Sequence, residues 1–214
     1  MAKLVFIFLL LSGLSLRAQP SLKGGLESFV RNNKVYPKYS LSNCIDGNVT
    51  IAFKLNKKGV VYYSEVRSGV GTDLDQEALR LIRMSSGRWA VPADHDSTIF
   101  IITPINFKLT DCQGKSKEEI KAAIEAYQAN ADLTNAVLSF YRNKEQNLPA
   151  GITESRALEL KETLGYDDDY LARRLDDGKK KLKQQDFQGA CEDFKFVKYM
   201  GSAIADDLIA RHCK

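Results

Sequence analysis

The stretch Gly47–Leu55 reads GNVTIAFKL, and its alternation decides the fold of the first half of the chain. Apolar side chains stand at every second position from Val49 to Leu55, which is the period of a strand with one buried face. Residues 56–59 (NKKG) follow, with a glycine that can adopt the positive φ of a hairpin turn. A second predicted strand, residues 60–66, is therefore the antiparallel partner of the first.

A helix and a third strand complete the predicted domain. Asp73 stands at an expected N-cap with Gln76 three residues later, and apolar residues then recur at helical spacing. Residues 99–109 form the third predicted strand. A helical crossover makes strands two and three parallel. If strand three is inserted beside strand one, the two pair antiparallel, and this is the arrangement we expect. The sequence thus predicts an α+β domain with a three-stranded antiparallel sheet of order 2-1-3 and two helices, the first within residues 22–30.

The N-terminus has the pattern of a cleavable signal peptide. Lys3 supplies a positive charge, an apolar run covers residues 4–16, and Ala18 is a small residue before the cleavage point at Gln19. The run is shorter than the roughly 20 apolar residues that span a bilayer. An uncleaved anchor is the competing interpretation. We expect residues 1–18 to be removed, which predicts a periplasmic or secreted protein without stable membrane insertion.

Charge and cysteine content narrow the function classes. The chain carries 31 Lys and Arg against 27 Asp and Glu, a balance that gives no electrostatic footprint for nucleic acid. Four cysteines are an even number in an exported chain, which predicts disulfides. The count alone leaves three pairings open. In the predicted sheet the start of strand one meets the end of strand three, so the topology favours a bond between Cys44 and Cys112.

From residue 113 the pattern becomes helical and charged. We therefore predict a first domain at residues 19–112 and an all-α tail at residues 113–214. Ser116 is the predicted N-cap of a helix that reaches about residue 143, and Thr153 caps a second helix that ends before Gly165. Three further helices are predicted at residues 170–185, 187–200 and 202–213.

Over roughly residues 30–109, the first half resembles the TonB C-terminal domain family. The resemblance is carried by an ordered set of short motifs. They are Tyr36-Pro37 before the first strand, GNVTIAFKL itself, Lys58-Gly59-Val60 in the turn, DLDQEALR from Asp73, then Trp89, Pro92, and PINFKL from Pro104.

The end of the tail, residues 178–213, resembles a tetratricopeptide-like or Sel1-like helical pair. One repeat unit is visible, whereas solenoids normally need about three to bury their faces. The tail therefore either packs on the first domain or caps itself. Cys191 lies early in one helix and Cys213 late in the next antiparallel helix, which makes them the second predicted disulfide pair.

The family resemblance implies a periplasmic, non-catalytic domain that binds a short segment of an outer-membrane receptor. In that family the segment adds as a strand to an open sheet edge, where it pairs with free N–H and C=O groups. Strand three is such an edge in the predicted sheet. The predicted partner-binding residues are Tyr36, Pro37, Ile101, Thr103, Ile105 and Phe107.

Two expectations separate this chain from an energy transducer of that family. The mature chain is predicted to keep no membrane anchor, and its five prolines are too few for a long proline-rich linker. The predicted function is therefore protein binding by β-strand addition. The alternative is a component of TonB-dependent transport that passes energy to an outer-membrane receptor.

The sequence predicts no enzyme, metal site or cofactor. Asp94-His95-Asp96 is the strongest candidate ligand set, but the second histidine, His212, lies far away in the sequence. A closed metal site usually needs three or four ligands, so a solvated loop is the preferred interpretation. No nucleophile, base and orienting group stand at a recognisable spacing.

Overall fold

The computed structural model describes residues 19–110, 112 and 114–213. The predicted signal peptide, residues 1–18, lies outside the described residues. Among the helices of the described part, none is both long and apolar enough to cross a bilayer.

The first part of the chain forms the predicted α+β domain. In chain order its elements are β1 (Ser21–Leu22), α1 (Leu26–Asn33), α2 (Lys38–Ser42), β2 (Gly47–Leu55), β3 (Val61–Ser68), α3 (Asp73–Met84), β4 (Trp89–Ala90) and β5 (Ile101–Phe107). The main sheet has the order β3-β2-β5, and both pairings are antiparallel. The predicted fold class and the predicted order 2-1-3 are confirmed.

The alternation in β2 separates the two faces of the sheet. Val49, Ile51, Phe53 and Leu55 are all fully buried, and they pack against Leu74 of α3 within one core. At about 25 cal/mol per Å² of apolar surface, each large side chain buried there contributes roughly 1.5–3 kcal/mol. The apolar face of the strand and the apolar face of the helix thus share one core, which holds the sheet against α3.

α2 is a short helix that the sequence analysis did not predict, and Asp73 explains its position. Its N-cap is Pro37, which has no side-chain acceptor. Asp73, which is distant in sequence, supplies the missing acceptor. Its carboxylate accepts hydrogen bonds from the backbone N–H groups of Tyr39 at 3.0 Å and Ser40 at 3.3 Å. The N-cap of α3 is Thr72 instead, one residue before the predicted position.

β1 and β4 form a separate two-stranded sheet, which was also not predicted. It holds Trp89 in the core, where the side chain is 8% exposed. The indole N–H donates to Ser85 Oγ at 2.8 Å, and the ring lies 5.1 Å from that of Phe53. This polar partner allows the whole ring to be buried.

The second part of the chain is all-helical. It contains α4 (Lys117–Glu145), α5 (Glu154–Thr163), α6 (Asp168–Lys183), α7 (Phe187–Tyr199), a 3₁₀ turn (Ala203–Ala205) and α8 (Asp206–His212). α4 begins at the predicted cap, where Ser116 and Glu119 form a capping box. α5 also begins as predicted, with Thr153 accepting from the backbone N–H of Arg156.

α4 connects two hydrophobic cores. Near its start, Ile120 and Ile124 pack against the core of the sheet domain, and Tyr39 Oη donates to the carbonyl of Ala123 at 2.7 Å. Near its end, Val137 and Phe140 are buried, and Val137 belongs to the core of the tail. The tail therefore has its own core and also packs on the first domain. The division of domains at residue 112 stays a prediction.

Two disulfides connect the cysteines in the pairs that the sequence favours. Cys44 is bonded to Cys112, and Cys191 is bonded to Cys213, each with a Cα–Cα distance of 5.5 Å. The first bond joins the segment before β2 to the segment after β5. The second joins α7 to the end of α8.

Candidate functional site

The outer edge of β5 is the surface that the sequence analysis singled out. In the described part of the chain, β5 pairs with β2 and with no other strand. Its register runs from Ile101 opposite Phe53 to Phe107 opposite Gly47. One row of its backbone groups bonds to β2, and the alternate row points away from the sheet.

Two observations show which residues of β5 direct their backbone N–H and C=O groups away from β2. Pro104 has no N–H to give to β2, and it lies directly opposite Thr50 in the register. The carbonyl of Asn106 accepts a hydrogen bond at 3.1 Å from Lys34 Nζ, which lies outside the sheet. Because outward residues alternate, the outward row consists of Ile102, Pro104 and Asn106. The groups it offers to a guest strand are the N–H and C=O of Ile102, the C=O of Pro104 and the N–H of Asn106.

The predicted partner-binding residues of β5 belong to the other row. Ile105 and Phe107 are 2% and 1% exposed, with their side chains in the core, and Ile101 and Thr103 are half-buried. Their backbone groups face β2 by the same alternation. These residues form the support of the edge, whereas Ile102, Pro104 and Asn106 form its accessible surface. The missing N–H of Pro104 was the sequence signal that distinguishes the two rows.

Tyr36 and Pro37 lie behind the end of β5. The Tyr36 ring packs edge-on against Phe107, with 6.0 Å between centroids, and its hydroxyl donates to the carbonyl of Ile45 at 2.7 Å. Burial, reinforced by the nearby carboxylates of Asp46 and Asp73, raises the pKa of Tyr36 to about 12. Tyr36 therefore stays neutral and holds the last residue of the strand in place. Pro37 is half-buried at the start of α2.

The tail contacts the opposite margin of the sheet at Ser64 of β3. Gln188 of α7 uses its side-chain amide as a strand would use its backbone. Its Oε1 accepts from the Ser64 N–H at 2.7 Å, and its Nε2 donates to the Ser64 carbonyl at 2.8 Å. The outward backbone groups of Ser64 are thus satisfied within the chain, and a guest strand is excluded at this position.

Arg83 holds the tail in that position. The guanidinium group, whose side chain is 7% exposed, forms two bonds of 2.7 Å to the carboxylate of Glu192. It also donates to Ser64 Oγ at 2.8 Å and lies 3.9 Å from the carboxylate of Asp186. A planar guanidinium suits such a bidentate contact, which fixes the orientation of α7 on the sheet domain.

A cavity of about 360 Å³ opens beside the start of β5. Its lining combines the large apolar side chains of Ile99, Phe100 and Ile102 with the carboxylates of Asp94 and Asp96. It also includes His95, Gln19 and Pro20. The acidic segment was predicted to be a solvated loop, and its position beside the strand edge was not predicted. Within the described part of the chain, no group of three or more His, Cys, Asp or Glu residues is placed to hold a metal ion.

In the part of the chain that the structure describes, these features define a small α+β domain whose β5 edge pairs with no further strand and whose β3 edge is capped at Ser64 by Gln188. Residues 32–109 match the family described as Gram-negative bacterial TonB protein C-terminal, which confirms the resemblance over about a third of the chain. That family is a non-enzymatic protein-interaction domain, periplasmic in Gram-negative bacteria, and it binds proteins such as outer-membrane receptors. No curated protein and no solved structure matches this chain. The tetratricopeptide-like character of the tail stays a prediction.

Proposed function

We propose that this protein is an exported binding module that recognises extended segments of partner proteins by strand addition to the outer edge of β5. The observation that carries the proposal is the asymmetry of the sheet. Gln188 occupies both outward backbone groups of Ser64 on β3, whereas four outward backbone groups of β5 have no partner among the described residues. The family match to a protein-interaction domain supports the same conclusion.

Backbone pairing alone gives too little binding energy. A hydrogen bond contributes about 0.5–1.5 kcal/mol net, so four of them contribute roughly 2–6 kcal/mol. Association itself costs at least about 4 kcal/mol in lost freedom of movement. Recognition at β5 therefore requires side-chain contacts beside the edge in addition to the ladder.

The proposal is tested by removing one outward N–H. Ile102→Pro deletes that donor at a position where an edge strand tolerates proline. Ile102→Thr is the matched control, because it removes the same apolar side chain but keeps the N–H. Capture of partners from an envelope extract is expected to persist with the Thr variant at a reduced level and to be lost with the Pro variant.

Two measurements complete this test. Circular dichroism and thermal melting establish that both variants fold as the wild type does. Amide hydrogen exchange, followed by NMR, is expected to show the N–H groups of Ile102 and Asn106 becoming protected when a captured segment is added. Equal capture by all three proteins, with unchanged exchange at both amides, would exclude the β5 edge as the binding surface.

The alternative function is a component of TonB-dependent transport that passes energy to an outer-membrane receptor, and the family match favours it. Transfer of force requires a retained connection to the inner membrane. The N-terminal residue of the protein isolated from cells distinguishes the two functions. A chain that begins at Gln19 supports the free binding module, and one that begins at Met1 supports the transport component.

A further inference from the structure

We infer, on the basis of the proposed strand addition, that the segment bound at β5 carries opposite charges at its two ends. Its end beside Ile102 has a cationic residue and a large apolar residue. Its end beside Asn106 has an acidic residue. Strand addition by itself does not determine this chemistry of the bound segment.

The apolar part of the inference rests on the cavity beside the start of β5. Ile99, Phe100 and Ile102 line this cavity and are 55%, 38% and 50% exposed, although all three are large apolar side chains. Ile102 also belongs to the outward row of the strand. A guest strand paired at Ile102 would therefore bring its own side chain into the cavity, where apolar contact supplies the energy that backbone pairing lacks.

The cationic residue is inferred from the carboxylates that line the same cavity. Asp94 and Asp96 line it, and no Lys or Arg side chain does so among the described residues. Gln19 also lines the cavity, and after the predicted cleavage its α-ammonium offsets one of the two carboxylates, which leaves one negative charge for a guest cation. Hydrogen bonds from the Thr98 hydroxyl and N–H lower the pKa of Asp96, so its carboxylate remains charged. The nearby cation Lys54 lies 4.4 Å over the ring of Phe100 and does not line the cavity.

The acidic residue is inferred from the other end of the edge. Lys34 Nζ donates to the outward carbonyl of Asn106 and lies 5.5 Å from the centroid of the Phe107 ring. This contact occupies the last outward acceptor, so pairing with a guest ends there. An ammonium group has three donors, and those not used by Asn106 remain for a carboxylate. Lys108, which is exposed, follows Phe107 directly in the chain.

The two charged ends act separately. Ile102 and Asn106 are four residues apart, which corresponds to about 14 Å along a strand. That distance exceeds the Debye length of about 8 Å at physiological ionic strength. Each end therefore selects one side chain of the guest. Because a ladder has one sense of pairing, parallel or antiparallel, only one order of the charges along the segment fits both ends.

Three short capped peptides test the inference on the full chain, exported and purified with its disulfides intact. Their sequences are KTLTVTE, the same residues in reverse order (ETVTLTK), and the neutral STLTVTS. Fluorescence anisotropy is expected to show one charged order binding roughly fivefold more tightly than the neutral peptide, as for a few exposed ion pairs. The other order is expected to bind no more tightly than the neutral peptide, and the difference should shrink at high salt.

Charge reversal on the protein provides the second arm. The triple variant Asp94→Lys, Asp96→Lys and Lys34→Glu is expected to exchange the preference between the two charged orders. Asp177→Lys, an exposed change of the same kind on α6, is the matched control and leaves the preference as in the wild type.

The outcomes separate this inference from the proposed function. Equal affinity for all three peptides, or a preference that the triple variant does not exchange, overturns the inference while strand addition stands. Binding of none of the peptides, including the neutral one, with no amide protection at Ile102, counts against strand addition itself.

Discussion

Removing the guanidinium of Arg83 is expected to weaken the attachment of the tail to the sheet domain. The substitution Arg83→Ala deletes the bidentate contact to Glu192, the bond to Ser64 Oγ and the nearby counter-charge of Asp186. Loss of one partner from a fully buried ion pair costs about 3–5 kcal/mol. The Glu192 side chain is 47% exposed and regains water, which lowers the cost. We therefore expect destabilisation of about 2–3 kcal/mol, due mainly to Asp186 and Ser64.

Urea unfolding with two probes measures this effect. The chain has one tryptophan, Trp89, so its fluorescence reports on the core of the sheet domain. Far-ultraviolet circular dichroism reports mostly on the helices, which are concentrated in the tail. In the wild type the two transitions are expected to coincide, as for one cooperative unit. In Arg83→Ala both midpoints should fall and the transitions should separate.

The destabilisation of Arg83→Ala also depends on pH with a defined sign. Burial raises the pKa of Asp186, and the positive charge of Arg83 opposes that rise. A carboxyl group with a raised folded-state pKa stabilises the fold below that pKa and loses this contribution as pH rises through it. Without Arg83 the buried charge is more costly, so the difference from wild type should be larger at neutral pH and smaller in acid.

An exposed ion pair provides the control. Arg156 pairs with Glu159 on α5, and its side chain is 48% exposed. Arg156→Ala is expected to cost at most about 0.5 kcal/mol. If Arg83→Ala destabilised the protein no more than Arg156→Ala, and both probes still gave one transition, the assigned role of Arg83 would be refuted.

Three further predictions concern other parts of the fold. Replacing Cys191 and Cys213 together by Ser opens a loop of 22 residues and should cost about 3 kcal/mol in chemical unfolding. Gly178→Ala places a Cβ about 2.5 Å from a buried Phe ring and should lower stability by about 1–3 kcal/mol, whereas Gly151→Ala, in open space, should not. The stability that Tyr36 contributes should be complete below pH 10 and lost as pH rises towards its pKa of about 12; Tyr36→Phe should remove that loss and the matching phenolate absorbance.

The sheet was predictable because its signals are local. The alternation of β2 and the glycine turn after it define the hairpin within one short stretch. The helical crossover made β5 parallel to β3, and the expected insertion of β5 beside β2 favoured the bond between Cys44 and Cys112. Each step uses residues close in sequence or a general rule of chain topology.

The contacts that decide which edge is open were not predictable. Gln188 and Ser64 are separated by 124 positions, and a single glutamine in a helix has no period that marks it as a substitute for a strand. The same holds for Asp73, which caps α2 from a distance of 34 residues. Long-range polar contacts of this kind can be recognised only once the chain is folded. The periodic spacing of apolar residues can be read from the sequence alone.

The bond between Cys44 and Cys112 has a mechanical consequence for β5. It lies just beyond the end of the ladder where Phe107 faces Gly47. A force applied to a bound segment towards that end cannot break the hydrogen bonds between β5 and β2 one residue at a time, because a covalent link closes the ladder there. Such a force on a segment bound at β5 would instead load the hydrogen bonds of the ladder together, as in shear, rather than open them in sequence from that end.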